Sequence, residues 1–124
     1  MFIFCNPNPC NILVGDCSIR ACSIATDQLW NTTQKDICDL SRYRCNMPSA
    51  NIVWGEYLQQ KGFKQVTILL PYSARYTVKK FCYDHPRGVY VLGIGSHVVT
   101  VVDGDYYDIW DSGDQEVLYY FRKE

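Results

Sequence analysis

The chain has 124 residues, 48% of them hydrophobic and 15% aromatic, enough for one domain and too few for two ordinary ones. At this size folding buries roughly two-thirds of the surface that the unfolded chain exposes, so neither a metal nor a disulfide staple is obligatory. Twelve Lys and Arg against thirteen Asp and Glu leave a formal charge of −1. That balance excludes the basic surplus on which a nucleic-acid binder depends for neutralising phosphates.

In chain order, residues 2–4 form a short apolar edge strand, broken at once by the turn cluster Asn6-Pro7-Asn8-Pro9. No basic leader precedes this strand, so it does not read as a signal peptide. No apolar run approaches the ~20 residues of a membrane span. The expectation is one domain over residues 1–124, in the cytoplasm, with no membrane partner. After Gly15 the breakers disappear. Ile19, Cys22, Ile24, Ala25 and Leu29 recur mostly at three- and four-residue spacing, which predicts a helix over residues 16–30. Asp16 is its expected N-cap, placing Cys17 in the first turn. A second helix starts at Thr32 or Thr33 and runs to about residue 44. A third spans residues 50–61, capped by Ser49 and stopped by Gly62.

The period then changes. Residues 64–70 read as a strand, and residues 77–83 as a short helix capped by Thr77 and ended by Pro86. Residues 89–94, 97–102, 105–110 and 116–122 are rich in Val, Ile and Tyr and read as strands. Asp103-Gly104 is a strong hairpin signal between two of them. The expected architecture is α+β, N-terminal helices packed on a C-terminal antiparallel sheet.

Seven cysteines, an odd number, would leave one thiol outside any closed disulfide framework. A chain in a reducing compartment keeps them as thiols. No C-x-x-C pair exists to begin a structural zinc site, and Cys5-x4-Cys10 is the nearest approach. Asp111, Asp114 and Glu116 lack the spacing of a calcium loop, and Gly93-x-Gly95 lacks the third glycine of a phosphate loop. No metal and no cofactor is expected.

A thiol nucleophile needs a lowered pKa, a base within reach and a group that orients the base. Cys17 has the first by position, since a helix N-terminus favours thiolate by ~1 kcal/mol. Asp16 opposes this unless its carboxylate turns away to cap the helix; Arg20, one turn after Cys17, is expected to pair with an acid such as Asp16 on its own helix. His97 opens a strand after the flexible Gly93-Ile94-Gly95-Ser96, whereas His85 sits before Pro86 in a charged stretch that reads as a solvated helix end. If Asp103-Gly104 is a two-residue turn, Val102 faces Asp105 and His97 faces Trp110. Asp108 then shares the face of His97, and Asp111 points away. A three-residue loop would reverse the choice and favour Asp111.

Taken together, Asn6-Pro7-Asn8-Pro9, Gly15-Asp16-Cys17-Ser18-Ile19-Arg20-Ala21, Trp54-Gly55-Glu56-Tyr57-Leu58, His97-Val98-Val99 and the segment from Asp103 through Asp108-Ile109-Trp110-Asp111-Ser112 span nearly the whole chain. In that order they resemble the small papain-like cysteine peptidase-fold proteins of phages and prophages. The resemblance implies a papain-like fold with Cys17 as nucleophile, His97 as base and Asp108 as orienting acid, Trp110 shielding the acid. The glutamine that serves the papain-like oxyanion hole, six residues before the cysteine, is matched in position by Asn11. Ser96 departs from the glycine usual before the histidine. The implied activity is a thiol hydrolase, a peptidase or amidase, acting on a protein or peptide in a bacterial or phage-infected cell. An acyl transferase is open to the same thiol. The alternative is a catalytically silent module of the same fold that binds a host or phage protein.

Overall fold

A computed structural model describes residues 1–68 and 75–124. Ten elements follow in order: β1 (Phe2–Phe4), α1 (Cys17–Thr26), α2 (Trp30–Tyr43), α3 (Asn51–Gln60), β2 (Phe63–Thr67), α4 (Val78–Asp84), β3 (Val89–Ile94), β4 (His97–Val102), β5 (Asp105–Asp108) and β6 (Tyr119–Lys123). The fold is α+β.

The first helix ends at Thr26 rather than at residue 30, and the second starts at Trp30, ahead of the expected Thr32 or Thr33. Asp27 adopts a left-handed conformation at φ 53°, and the Asp27 and Gln28 amides close back on Ile24 and Ser23. Asp tolerates this conformation at a helix end, so the chain turns there and α2 begins at Trp30. At α3 the flanking residue is Ala50, with no side-chain cap, so Ser49 does not serve as expected; Gly62, at φ +92°, follows the last turn. At α4 the expectation holds: the Thr77 hydroxyl accepts from the Lys80 amide at 3.2 Å.

The six strands form one sheet in the order β1-β5-β4-β3-β6-β2. The expectation of a C-terminal, wholly antiparallel sheet is corrected in two respects. β1 joins it from the N-terminus and pairs in parallel with β5, Phe2 opposite Tyr106 and Phe4 opposite Asp108. β6 does not continue the β3-β4-β5 meander; it lies between β3 and β2, antiparallel to both. Alternation along a strand announces that it is a strand and says nothing of a distant partner. Leu69 and Leu70, the end of the strand expected over 64–70, lie outside the described residues. Glu116 makes an isolated bridge with Thr77, and the last strand proper begins at Tyr119.

Two apolar clusters build the core. One joins Ile19, Cys22 and Ala25 of α1 to Ile37, to Val53, Trp54 and Leu58 of α3, and to Val91, Val98 and Phe121 of the sheet. The other joins Val78, Phe81 and Cys82 of α4 to Tyr90, Leu92, Val99 and Val101. Alternate residues of β4 divide between them, as the period of a strand buried on both faces requires. Among the described residues, no helix is long and apolar enough to cross a membrane.

Candidate active site

Cys17 is the first residue of α1, and the loop before it ends at Gly15, in a conformation (φ +91°) that favours glycine. Asp16 flanks the helix without a side-chain cap bond. Its buried carboxylate takes the Arg20 guanidinium, the Asn8 amide at 3.0 Å and the Trp30 indole N–H at 2.9 Å. These three donors hold the negative charge away from the helix amides beside Cys17. The Arg20 pairing is the one the spacing implied.

β4 brings the histidine. Ile94 pairs with His97 across the two-residue turn Gly95-Ser96, and Gly95 supplies the positive φ, 63°, that such a turn needs at its first position. The buried Thr100 hydroxyl of β4 donates to the Ala21 carbonyl of α1 at 2.6 Å, a polar tether that sets helix against strand.

The acid follows from the next hairpin. Asp103 and Gly104 both have positive φ, 49° and 84°, and Val102 pairs with Asp105. This is the primed two-residue turn that the Asp-Gly pair favours. Continuing the register places Asp108 on the face of His97, and His97 Nε2 lies 2.7 Å from Asp108 Oδ2. Asp108 ends β5 because its own Oδ1 accepts the Ile109 N–H at 2.8 Å, turning the chain out of the ladder before Trp110. Asp111 does not approach His97; it accepts from the Tyr106 hydroxyl and from the Gly113 amide.

Cys17 and His97 line one cleft of about 550 Å³, walled by the 13–15 loop, α1, the start of α3, the β3–β4 turn and Ile109-Trp110. The Trp110 ring stands 5.0 Å from the His97 ring, centroid to centroid. Burial pushes the Cys17 thiol up, but its hydrogen bond to the His97 ring, the charge of that ring, the Val98 amide and the Arg20 charge bring it below the ordinary thiol value. Burial likewise works against a charged His97, and Asp108 and Cys17 together overcome it, raising the ring from 6.5 to about 9. With Nε2 engaged by Asp108, Nδ1 is the nitrogen left for the thiol. Each group thus favours the charged form of the other. Cys22, one turn further along α1, is fully buried, and burial drives its thiol the other way.

The structure brings Cys17, His97 and Asp108 together and leaves Asn11 outside the group. Asn11 is exposed, held at φ 56° in the Asn8–Asn11 turn, and does not line the cleft. Counting six residues back from the cysteine fails because Asn8 and Asn6 fold that loop on itself through their side chains. Two polar residues escaped the sequence reading. Ser112, fully buried, donates its hydroxyl to Asp108 Oδ2 at 2.7 Å, the oxygen that His97 uses. Asn51 lines the cleft, and its Oδ1 accepts the indole N–H of the buried Trp54 at 3.2 Å. The Asp108/Ser112 spacing of four carried no signal, being one of several acid–hydroxyl spacings in the chain. Among the described residues no group of three His, Cys, Asp or Glu side chains is placed to hold a metal ion. No protein-family profile, curated protein or solved structure matches this chain.

Proposed function

We propose that the chain is a papain-like thiol hydrolase that cleaves an amide through an acyl-thioester on Cys17. The observation that carries the reading is the His97 ring, joined through Nε2 to buried Asp108 and lining one open cleft with Cys17. Base, nucleophile and orienting group then stand in the mutual order that such chemistry requires.

His97 takes the thiol proton as general base. The thiolate attacks the amide carbonyl carbon, forming the C–S bond while the carbonyl π electrons move to oxygen. The Cys17 backbone N–H, at the first position of α1, donates to that oxygen. Collapse breaks the C–N bond, and the departing amine takes the proton from His97. Water then attacks the thioester, giving one proton to His97; the C–S bond breaks, and the acid product leaves. Asp108 keeps Nε2–H pointed at itself throughout, so that Nδ1 exchanges protons with sulfur and amine. Ser112 and the Ile109 amide hold the carboxylate in that orientation. The rim of the cleft is exposed at Leu13, Val14 and Trp110, a shape suited to a loop or terminus of another protein.

The test is capture of the intermediate. The protein is mixed with a proteome-derived peptide library, quenched in acid and mapped by mass spectrometry. Acyl adducts on Cys17, and new peptide ends absent with Cys17→Ala, are expected. New ends that persist undiminished in Cys17→Ala overturn the reading.

A further inference from the structure

Arg20 sits one turn along α1 from Cys17 and lines the same cleft, yet only 6% of its side chain is exposed. A guanidinium carries five N–H donors, and burying it leaves each in need of a partner. Among the described residues, Arg20 makes one side-chain pairing, through Nη1 to Asp16. Its remaining nitrogens are not sealed in the core, because the sole fully buried side-chain nitrogen or oxygen without a partner among the described residues is Thr33 Oγ1. They therefore reach accessible space, and the opening that Arg20 lines is the Cys17 cleft.

No carboxylate is among the described residues lining that opening. Asp16 lines a separate recess beside Trp30 and Gln34, and Asp108 is 4% exposed behind His97. Among the described lining residues, the ionisable groups are Arg20, Cys17 and His97. Of these, Arg20 alone has a planar fork, and its pairing with Asp16 holds it rigid. A planar fork of this kind matches a carboxylate, and low-dielectric walls strengthen the match. The Asp16 pairing has already removed the side-chain freedom that binding would otherwise cost.

We propose that the outward edge of Arg20 receives a carboxylate on the acyl side of the scissile amide, making the substrate an acid-bearing acyl group. This assignment rests on the thiol-hydrolase reading and names its substrate class.

Two small reagents test it on the intact chain. Iodoacetate and iodoacetamide alkylate thiolates by the same displacement, sulfur forming a bond to the methylene carbon as iodide leaves, and differ in carrying a carboxylate or an amide. Rates at each cysteine are read by mass spectrometry at pH 7 and low salt. The exposed Cys10 and Cys45 are internal references, and buried Cys22 reports unfolding by becoming reactive. The iodoacetate-to-iodoacetamide rate ratio at Cys17 is expected to exceed that at Cys45 by about tenfold, equivalent to one carboxylate contact of about 1.4 kcal/mol. It is expected to survive Asp16→Asn and to fall to the Cys45 value in Asp16→Asn/Arg20→Gln, a pair that leaves no carboxylate unmatched. Arg20→Lys, which keeps the charge and loses the fork, is expected to fall part-way, and it carries the test if the double variant exposes Cys22. A wild-type ratio equal to that of Cys45 overturns the proposal. So does a ratio undiminished in the Arg20 variants, which assigns the preference to His97. A Cys17 that alkylates no faster than Cys10 with iodoacetamide removes the thiol-hydrolase reading, and this proposal with it. A fast Cys17 with the Cys45 ratio removes this proposal alone.

Discussion

Two regions of the molecule each hold a cysteine and a histidine, and their fates differ. At the start of α1, Cys17 meets His97, and the thiol is lowered while the imidazole rises to about 9. On α4, Cys82 and His85 lie within one turn, but Cys82 is buried inside the helix and pushed up to about 11 by that burial. His85 donates Nδ1–H to the Phe81 carbonyl at 2.9 Å and stacks on the Phe81 ring at 3.9 Å. The residue types are the same. What separates the regions is a helix N-terminus under one thiol and a buried carboxylate behind one imidazole. A cysteine in mid-helix faces backbone groups already bonded to each other, and the His85 nitrogen meets a backbone carbonyl where His97 meets a carboxylate.

The largest test of this contrast exchanges the regions. Cys17→Ala or His97→Ala is expected to abolish amide turnover and the rapid alkylation of residue 17 at pH 6.5. Cys82→Ala and His85→Asn are expected to leave turnover within about twofold while costing about 1–2 kcal/mol in denaturant unfolding. Turnover that follows Cys82 would invert the assignment.

Next comes the choice of acid. Asp108→Ala is expected to slow turnover by about 10³-fold or more, because His97 loses its fixed tautomer. Asp111→Ala, which releases Tyr106 and Gly113, should leave the rate within about tenfold and show instead as lost stability. Equal losses in rate would mean that Asp108 acts only structurally.

The pH dependence sharpens the same pairing. His97 is raised above its unfolded value of 6.5, so the stability it contributes is whole below 6.5 and disappears as pH climbs through about 9. The lowered Cys17 thiol contributes in the opposite sense, so melting curves are compared on a Cys17→Ser background, where Asp108→Ala should lose less melting temperature across this window than its parent. The upper limb of the pH–alkylation profile should move from about 9 toward 6.5 in the same variant. Parallel melting curves, or an unmoved limb, would show that Asp108 does not hold the imidazolium.

Ser112→Ala is expected to slow turnover by about tenfold or less, since one of two supports for Asp108 remains. Its signature is a downward shift of the same pH limb, with restoration by Ser112→Thr; a rate loss without that shift would make the hydroxyl a packing group. Smallest of all, prolonged dialysis against a chelator should leave the melting temperature unchanged. Unfolding on chelation would return Cys5 and Cys10 to consideration as ligands.

Much of this molecule was legible before any coordinates. The strands over 89–94 and 97–102, the Thr77-capped helix, the Asp103-Gly104 turn and the Asp16–Arg20 pairing all depend on residues within a few positions of one another. Local rules of capping, turn chemistry and alternation suffice for them, and the parity of the Asp-Gly hairpin carried through to Asp108 on the face of His97. Misjudgements fell where a local pattern continued past a point that only its surroundings ended. The helix from Asp16 broke at Asp27, where amides closed back on Ile24 and Ser23, and β5 stopped when Asp108 captured the Ile109 amide. Asn11 was placed by counting residues along a loop whose path Asn6 and Asn8 bend.

Composition, period and turn residues thus determined that this is an α+β chain with a thiol at a helix start and a histidine at a strand start. Which strands are neighbours was decided in three dimensions: β1 lies in parallel on β5 and β6 between β3 and β2, contacts that join residues dozens to over a hundred positions apart. The same holds for the cleft. Cys17 and His97 are eighty positions apart, and no one-dimensional period encodes the Thr100–Ala21 tether that sets α1 against β4. Local free energies of about 1 kcal/mol per cap or turn can be read along a chain, whereas the charge state of a thiol–imidazole pair depends on burial and field, which exist only once the chain has packed.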